Sequence, residues 1–201
     1  TPALAQSTTI EVDPAGQGNT AVTSVVVEGE VEDTPVLNIA TPNAAGLSHN
    51  VFTQYDVGPE GLVINNHGGD APIASDLAGA VLANPNLSAN GEAQTILNEI
   101  TSTRRSNLFG PQELVGGAAD FILANPNGVT CDGCGFLAFP NATVITGKPS
   151  LNPDGSLGTI DVDGGDVAIE GDGLDASTVD YFDIVSRSVI INGQVNAKNL
   201  T

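Results

Sequence analysis

The chain has 201 residues, of which 24 are acidic and 5 are basic, giving a formal net charge of −19. So few lysines and arginines exclude a nucleic-acid-binding protein, which needs cations to displace the counterions of phosphates, and they disfavour an anionic membrane partner. Apolar residues make up 40% of the chain but aromatic residues only 4%, with no Trp and no Met, so we expect a core of Val, Ile, Leu and Ala.

The first residues are typical of the end of a secretory signal. Ala3-Leu4-Ala5 matches the small-x-small pattern that precedes a signal-peptidase cleavage site. We therefore predict that residues 1–5 are a signal-peptide remnant and that residues 6–201 form a single domain, truncated at its C-terminal end. The alternative is a chance pair of alanines in a flexible terminus.

Short runs rich in Val, Ile and Thr recur along the chain and predict strands, because Gly, Pro or Asn bounds most of them. The first group comprises Ala21–Gly29, Pro35–Ala40, Gly61–Asn66 and Asn141–Gly147. Residues 92–103 have apolar positions at helical spacing, but their β-branched side chains favour a strand. A last group partly alternates apolar and polar residues, as in strands buried on one face. It comprises Ile160–Val162, Val167–Ile169, Tyr181–Val185 and Ser188–Ile191.

The tripeptide Asn-Pro-Asn occurs twice, in Asn84-Pro85-Asn86-Leu87 and in Asn125-Pro126-Asn127-Gly128. Both copies suit tight corners, because Asn tolerates left-handed backbone and Pro fixes φ. Their separation of 41 residues equals about two coils of a solenoid with roughly 20 residues per coil. We therefore predict a β-helix with the two corners on the same face, two coils apart; a β-sandwich is the main alternative.

Three motifs follow one another in order: GLSHNVFTQYDVGPEGLVINN at Gly46–Asn66, NPNL at Asn84–Leu87, and NPNGVTCDGCGF at Asn125–Phe136. Together they resemble the N-terminal secretion domain of two-partner secretion (TPS) exoproteins. These are the filamentous haemagglutinins, haemolysins and contact-dependent growth inhibition (CdiA-like) proteins of Gram-negative bacteria. The resemblance extends from about Ile39 to Leu200, and the Cys-x-x-Cys after NPNG is most similar to the growth-inhibition branch.

The resemblance implies an all-β fold, a right-handed parallel β-helix with an N-terminal β cap and extra-helical strands. It implies a secreted protein, exported through the periplasm and the outer membrane to the cell surface, and not an enzyme. The unfolded chain would be recognised by the periplasmic POTRA domains of an outer-membrane β-barrel transporter of the Omp85 type. The domain would then nucleate β-helix folding outside the cell. We expect a monomer without cofactor, catalytic residues, metal, small-molecule substrate or nucleic acid.

The Asn-Pro-Asn motifs are expected to form β-turns that cap coils. In addition, an exposed strip around Asn84, Asn86, Asn125 and Asn127 would be recognised by the transporter while the chain is unfolded. A substitution there would impair secretion by slowing the turn, by weakening recognition, or by both.

The two cysteines, Cys131 and Cys134, allow a metal site, a redox centre or a disulfide. A structural zinc site needs four ligands, and the two histidines, His49 and His67, lie far upstream without paired spacing. A redox centre needs electropositive surroundings, which this acidic chain does not offer. In an oxidising compartment the spacing favours a disulfide that shapes the loop across Asp132-Gly133.

Three further features are interpreted as structural. The acidic, Gly-rich segment Asp161–Asp175 does not fit the EF-hand pattern and is expected to form solvated turns. His49 could pair with Asp56 in a catalytic dyad, but a loop or cap histidine is the better explanation. Arg104-Arg105 is expected in an exposed loop, with weak salt bridges.

Two other functions remain open. One is a β-helical polysaccharide-binding or polysaccharide-cleaving enzyme, since paired carboxylates can perform acid–base chemistry on sugars. The small number of aromatic residues argues against it, because sugar rings usually stack on them. The other is an adhesin fragment that acts directly on host cells, a role better suited to segments further along an exoprotein.

Overall fold

The computed structural model of the protein describes residues 7–16, 18–27, 30–87 and 91–201. Within these ranges the regular secondary structure is β-strand, mostly in parallel pairs. The predicted signal-peptide remnant, residues 1–5, lies outside the described residues. No helix in the described part of the chain is long and apolar enough to cross a membrane.

The fold is the predicted right-handed parallel β-helix, in which successive coils contribute strands to three sheets. In spatial order, sheet A contains β1 (Thr9–Val12), β4 (Leu47–Asp56), β8 (Thr95–Ile100), β11 (Asp120–Ala124), β14 (Asn141–Ile145) and β19 (Tyr181–Val185). Sheet B contains β2 (Ala21–Val27), β3 (Glu30–Asn38), β5 (Leu62–Asn66), β10 (Pro111–Gly116), β13 (Cys134–Leu137), β18 (Leu174–Ala176) and β21 (Val195–Ala197). Sheet C contains β9 (Ser106–Leu108), β12 (Val129–Cys131), β17 (Val167–Ile169) and β20 (Val189–Ile191).

Five coils follow one another along the described chain. Coil 1 contains β4 and β5, coil 2 contains β8 to β10, and coil 3 contains β11 to β13. Coil 4 contains β14, β17 and β18, and coil 5 contains β19 to β21. The strand predicted in residues 92–103 is confirmed as β8, where inward-facing Ile96 and Ile100 are buried and β-branched side chains suit the pleated surface.

Inward side chains stack from coil to coil because parallel strands pair in register. One column runs through Ile96, Phe121, Ala142 and Phe182, all almost completely buried. Each coil thereby removes the apolar face of its neighbours from water, and burial of this kind contributes about 25 cal/mol per Å² of apolar surface.

The expectation of a purely aliphatic core is wrong. Five of the six phenylalanines are buried in the interior: Phe52, Phe121, Phe136, Phe139 and Phe182. Phe136 lies at the centre of a cluster, with its ring centroid 5.0 Å from that of Phe182 and 5.9 Å from that of Phe121. Composition gives the number of aromatic rings but not their location, and here the few rings are concentrated inside the coils.

The N-terminal strands form a cap, because they cover the backbone edge of coil 1 in sheets A and B. In sheet A, β1 pairs with β4 in antiparallel orientation. In sheet B, β3 pairs with β5 in parallel, and β2 covers the other edge of β3 in antiparallel orientation. Without β1 and β3, N–H and C=O groups at this edge of coil 1 would be left unpaired.

Two antiparallel hairpins lie outside the coils: β6 (Ile73–Ser75) with β7 (Gly79–Val81), and β15 (Lys148–Leu151) with β16 (Leu157–Asp161). Of the strands predicted in residues 160–191, the one that contains Ile160 therefore belongs to a hairpin, whereas the others belong to coils. A period of two marks a strand buried on one face but does not distinguish a hairpin from a coil.

The first hairpin is anchored to the outer face of sheet B by a buried carboxylate. The Ser75 hydroxyl donates to Glu113 Oε2 over 2.6 Å, and the Asp76 N–H donates to Glu113 Oε1 over 2.9 Å. Apolar residues of the hairpin also pack on Val63 and Val115 of that sheet.

Candidate functional site: the two Asn-Pro-Asn corners

The first corner lies between β7 and β8 and is closed by a β-turn. The Leu87 N–H donates to the carbonyl oxygen of Asn84 over 3.1 Å, and the Asn86 N–H donates to Asn84 Oδ1 over 2.9 Å. Asn suits the first position of the turn because its side-chain oxygen reaches the N–H two residues further on. Pro85, with its fixed φ, lies exposed at the tip.

The side-chain amides of this corner bind it to the start of the domain. Asn84 Nδ2 donates to the carbonyl oxygens of Ile39 and Asn65 over 3.0 and 2.9 Å. Asn86 Nδ2 donates to the carbonyl oxygens of Asn19 and Ile39 over 2.8 and 3.0 Å. The corner thus satisfies backbone acceptors at the ends of β3 and β5 and in the segment before β2.

The second corner, between β11 and β12, repeats the same turn. The Gly128 N–H donates to the carbonyl oxygen of Asn125 over 3.1 Å, and the Asn127 N–H donates to Asn125 Oδ1 over 2.9 Å. Asn125 Nδ2 donates to the carbonyl oxygen of Arg104 over 3.0 Å and to Ser106 Oγ over 2.9 Å. This corner therefore binds coil 3 to the chain that enters β9 of coil 2.

The prediction that the two corners lie on the same face, two coils apart, is wrong. The first corner follows β5 and the first hairpin and leads from sheet B into sheet A, whereas the second leads from sheet A into sheet C. Coil lengths also vary: Thr95 pairs with Asp120, 25 positions on, whereas Phe121 pairs with Ala142, 21 positions on. The spacing of 41 residues therefore covers β8 to β11, which is one complete coil and the first strand of the next, rather than two equal coils.

The prediction of an exposed strip of asparagines is also wrong for the folded domain. Asn84 and Asn125 are 2% and 0% exposed, and Asn86 and Asn127 are half-buried. The reason is that the amides point inward to satisfy carbonyl groups of the coils, since a buried acceptor without a partner is costly.

The fourth residue of each motif has a different structural role. Leu87 is buried in the main core. Gly128 has φ of +103°, and a Cβ atom there would collide with Arg105 Nη1 and lie 2.8 Å from the carbonyl oxygen of Asp166. Only glycine readily adopts such a backbone conformation, so the two motifs share a turn but are not interchangeable.

Arg104 and Arg105 lie in the predicted loop, between β8 and β9, and Arg104 is exposed and forms a salt bridge of 3.0 Å with Glu11. Arg105, in contrast, is half-buried rather than exposed. Its guanidinium forms two hydrogen bonds with the Asp166 carboxylate, of 3.0 and 2.8 Å, and donates to the carbonyl oxygen of Val129 over 2.8 Å. Its Nε donates to Thr130 Oγ1 over 2.7 Å. One side chain thereby joins coils 2, 3 and 4 beside Gly128. Sequence alone does not reveal this cluster, because Asp166 lies 61 residues away.

A family model described as the TPS secretion domain matches residues 10–201. The chain belongs to the TPS secretion domain family. It is 50% identical over 167 residues to a Toxin CdiA of Escherichia coli, covering 83% of this chain and 5% of the toxin. It is 44% identical over 164 residues to the Filamentous hemagglutinin of Bordetella pertussis, covering 82% of this chain and 4% of the hemagglutinin.

A solved structure agrees with this assignment. The crystal structure of a filamentous hemagglutinin secretion domain superposes with a TM-score of 0.75 at 41% sequence identity, covering 92% of this chain and 56% of that chain. The TPS domain is thus the secretion domain of a CdiA- or hemagglutinin-like exoprotein, exported across the outer membrane to the cell surface. The polysaccharide-enzyme alternative is not favoured by these matches.

The TPS domain spans only about 5% of the length of its CdiA relatives. One of these, from Escherichia coli O6:K15:H31, is named tRNA nuclease CdiA. That name belongs to a protein of which this chain matches a small part, whereas the matched family is described as a secretion domain.

Cys131 and Cys134 are joined by a disulfide at the corner between β12 and β13 of the TPS domain. Both residues are 2% exposed, and their Cα atoms are 5.2 Å apart. Gly133, inside the loop, has φ of +84°. Because the entropic stabilisation by a disulfide grows with loop length, this bond shapes the corner more than it stabilises the fold.

The predicted loop or cap position of His49 is wrong, and His49 does not pair with Asp56. His49 lies within β4, and its Nε2 is 2.8 Å from Glu99 Oε2 of the neighbouring strand β8. Asp56 instead accepts the N–H of Asn107 over 2.7 Å. His49 and Asp56 of coil 1 therefore each form a hydrogen bond with a residue of coil 2.

The acidic segment at residues 161–175 combines exposed carboxylates with a buried strand. Asp161, Asp163, Asp172 and Asp175 are exposed, whereas Val167–Ile169 form β17, in which Val167 and Ile169 face the core. Across the ranges that the structure describes, no group of three or more His, Cys, Asp or Glu residues is placed to hold a metal ion.

Stability of the TPS domain should depend on pH through Asp166. The hydrogen bonds and charge of Arg105 lower the pKa of the Asp166 carboxyl below its usual range. Because the folded-state pKa is lowered, the contribution is complete above the unfolded pKa and is lost as pH falls through the folded pKa. The pair is partly exposed, so we expect a loss below about 1 kcal/mol.

This prediction is checked by urea unfolding between pH 6 and pH 2 of the native chain and of Asp166→Asn. The native chain should lose more unfolding free energy over this range than the variant. Equal losses would contradict the assignment.

Proposed function

We propose that this TPS domain is recognised, while unfolded, by the periplasmic POTRA domains of an outer-membrane β-barrel transporter of the Omp85 type. We further propose that it nucleates β-helix folding outside the cell. In this proposal residues 6–201 act as one monomeric domain without cofactor or small-molecule substrate, and the Asn-Pro-Asn motifs carry the recognition signal.

The burial of the corner asparagines carries the recognition part of the proposal. In the folded domain Asn84 and Asn125 are inaccessible and their amide nitrogens are bonded to backbone or hydroxyl oxygens. A partner that contacts these side chains must therefore bind the chain before it folds. The motifs are then accessible while the unfolded chain is in the periplasm and hidden after it folds at the cell surface. The transporter would therefore bind the chain before export and release it after folding.

The direction of the corner hydrogen bonds supports folding from the N-terminus. The side-chain amides of Asn84, Asn86, Asn125 and Asn127 all donate to residues that precede them in the chain. Each corner can therefore complete its side-chain bonds as soon as it emerges, with the partners already outside.

The pairing between successive coils supports the nucleation part. Each coil pairs in parallel register with the coil before it, as in β8 with β11, β11 with β14 and β14 with β19. A coil that has already folded therefore offers a backbone edge and an apolar face on which the next coil can form.

The recognition proposal is tested by binding and export of Asn84→Asp and Asn125→Asp. Each change retains the side-chain acceptor but removes the amide donor. We expect at least about a fivefold loss of export by the matching transporter, and weaker binding of the urea-unfolded chain to its isolated POTRA domains. Since an unfolded chain has no corner to destabilise, the binding assay reports recognition alone.

Asn199→Asp is the matched control, because the Asn199 side-chain amide also donates to a backbone carbonyl oxygen, that of Asp180 over 2.9 Å, outside the motifs. It should bind and be exported like the native chain. Normal binding and export of both motif variants would contradict the proposal. Normal binding with failed export would contradict its recognition part and would mean that the motifs act only in folding.

A further inference from the structure

Residues 148–161, the hairpin β15–β16, lie across the outer face of sheet A, and we call them the strap. Beneath the strap lies an apolar stripe to which coils 1 to 4 contribute in turn. The stripe consists of Leu47, Leu97, Ala124 and Ile145. Leu157 and Ile160 of the strap are partly buried against it.

The strap is attached to the coils much more weakly than the coils are to one another. In the described residues β15 pairs with β16 alone, so the strap shares no backbone ladder with sheet A. At its tip, the Gly155 carbonyl oxygen accepts a hydrogen bond of 2.6 Å from Asn43 Nδ2. Apolar contact on one face and this tip bond hold the strap down, whereas a central coil strand has two ladders and a buried inner face.

The strap keeps its own shape through internal hydrogen bonds. The Ser150 hydroxyl donates to the Thr159 carbonyl oxygen over 3.0 Å, and the Asn152 N–H donates to the Ser156 carbonyl oxygen over 2.9 Å. Glycines flank it, with Gly147 before β15 and Gly164-Gly165 after β16. A hairpin that is internally bonded and flanked by glycines can move as a unit without disturbing its neighbours.

We propose that the strap opens and closes as a unit on coils that stay folded, and that its closure is the last step in covering coils 1 to 4. Asn43 lies 112 residues before Gly155 and immediately precedes coil 1. The tip bond therefore forms only when the four coils are stacked at their native spacing. In the open form the apolar stripe faces solvent across four strands, so closure marks completion of this part of the β-helix.

Native-state hydrogen exchange measured by peptide mass spectrometry tests the proposal on the whole chain. Amides of the strap should exchange faster than those of β8 and β11, through openings that leave the coils protected. In Asn43→Asp the side-chain oxygen can still accept the N–H groups of Ala45 and Leu47, but the tip donor is lost. We expect exchange in the strap to accelerate about 5- to 10-fold, with β8 and β11 unchanged.

Two further measurements separate strap opening from general destabilisation. Asn199→Asp, which loses a donor to a backbone carbonyl oxygen outside the strap, should leave strap exchange unchanged. Ile160→Ser should increase binding of the uncharged dye Nile red while protection of β8 and β11 persists. The proposal is overturned if strap amides exchange only with global unfolding, or if Asn43→Asp accelerates exchange equally in strap and coils. Neither outcome depends on the transporter.

Discussion

Gly128→Ala is expected to destabilise the domain by about 3 to 5 kcal/mol, which is enough to unfold a protein of ordinary stability at moderate temperature. Two causes combine. The backbone φ of +103° is strained for any residue with a side chain, and the added Cβ would meet Arg105 Nη1 and the Asp166 carbonyl oxygen. Relief of the collision would displace Arg105 from the bonds that join coils 2, 3 and 4. Urea unfolding followed by circular dichroism measures the loss.

Gly133→Ala is the control for this substitution, because Gly133 has a comparable φ of +84° but its nearest neighbours would be 3.5 Å or more from a Cβ atom. It should cost only the backbone strain, about 1 to 2 kcal/mol. If both variants lost the same stability, crowding against Arg105 would not be the reason for glycine in the second motif. If crowding is the reason, the double variant Gly128→Ala with Arg105→Ala should be less destabilised than the sum of the single changes.

Phe136→Ala is the second change with a large expected effect, a loss of about 3 to 5 kcal/mol in the free energy of unfolding. Its ring contacts those of Phe121 in coil 3, Phe139 in the turn between coils 3 and 4, and Phe182 in coil 5, and the side chain is 0% exposed. Alanine would leave a cavity among rings held in place by strand ladders, so the surrounding coils can relax only partly. Equilibrium unfolding in urea gives the difference.

Phe109→Ala provides the comparison at the same residue type, since Phe109 is only half-buried. It should cost clearly less, and Phe136→Leu should recover most of the lost stability because leucine refills much of the cavity. A small loss in Phe136→Ala would mean that the aromatic cluster is not a principal source of stability. If surface folding assists export, the same variant should also be exported more slowly than Phe109→Ala.

The fold was predictable because its signals are local or carried by ordered motifs. Runs of Val, Ile and Thr marked β2, β3, β5 and β14, and the order of the three motifs indicated the family. The local geometry of the corners was also predictable, since Asn and Pro suit a β-turn wherever it lies. What the tripeptide does not encode is its position on the coil, which depends on the hairpin inserted before Asn84 and on unequal coil lengths.

The contacts that sequence reasoning missed are long-range. Arg105 meets Asp166 across 61 residues and Asn43 meets Gly155 across 112 residues. No periodicity connects such positions, because the pairing follows from the number of residues in each intervening coil and hairpin. The inward orientation of Asn84 and Asn125 was missed for a similar reason: the strand residues that accept from their amides, Asn65 through its carbonyl oxygen and Ser106 through its hydroxyl, each lie 19 residues earlier.

If the chain is exported through a transporter barrel as proposed, the placement of the disulfide has a consequence for its passage through the barrel lumen. Cys131 and Cys134 are three positions apart and belong to the same coil. An oxidised chain therefore contains no long covalent ring and can still be threaded end first as a single filament. A bond between neighbouring coils would instead close a ring of about 20 residues, which would have to enter doubled over. Oxidation before translocation is thus compatible with export, and the thiols need no protection on the way.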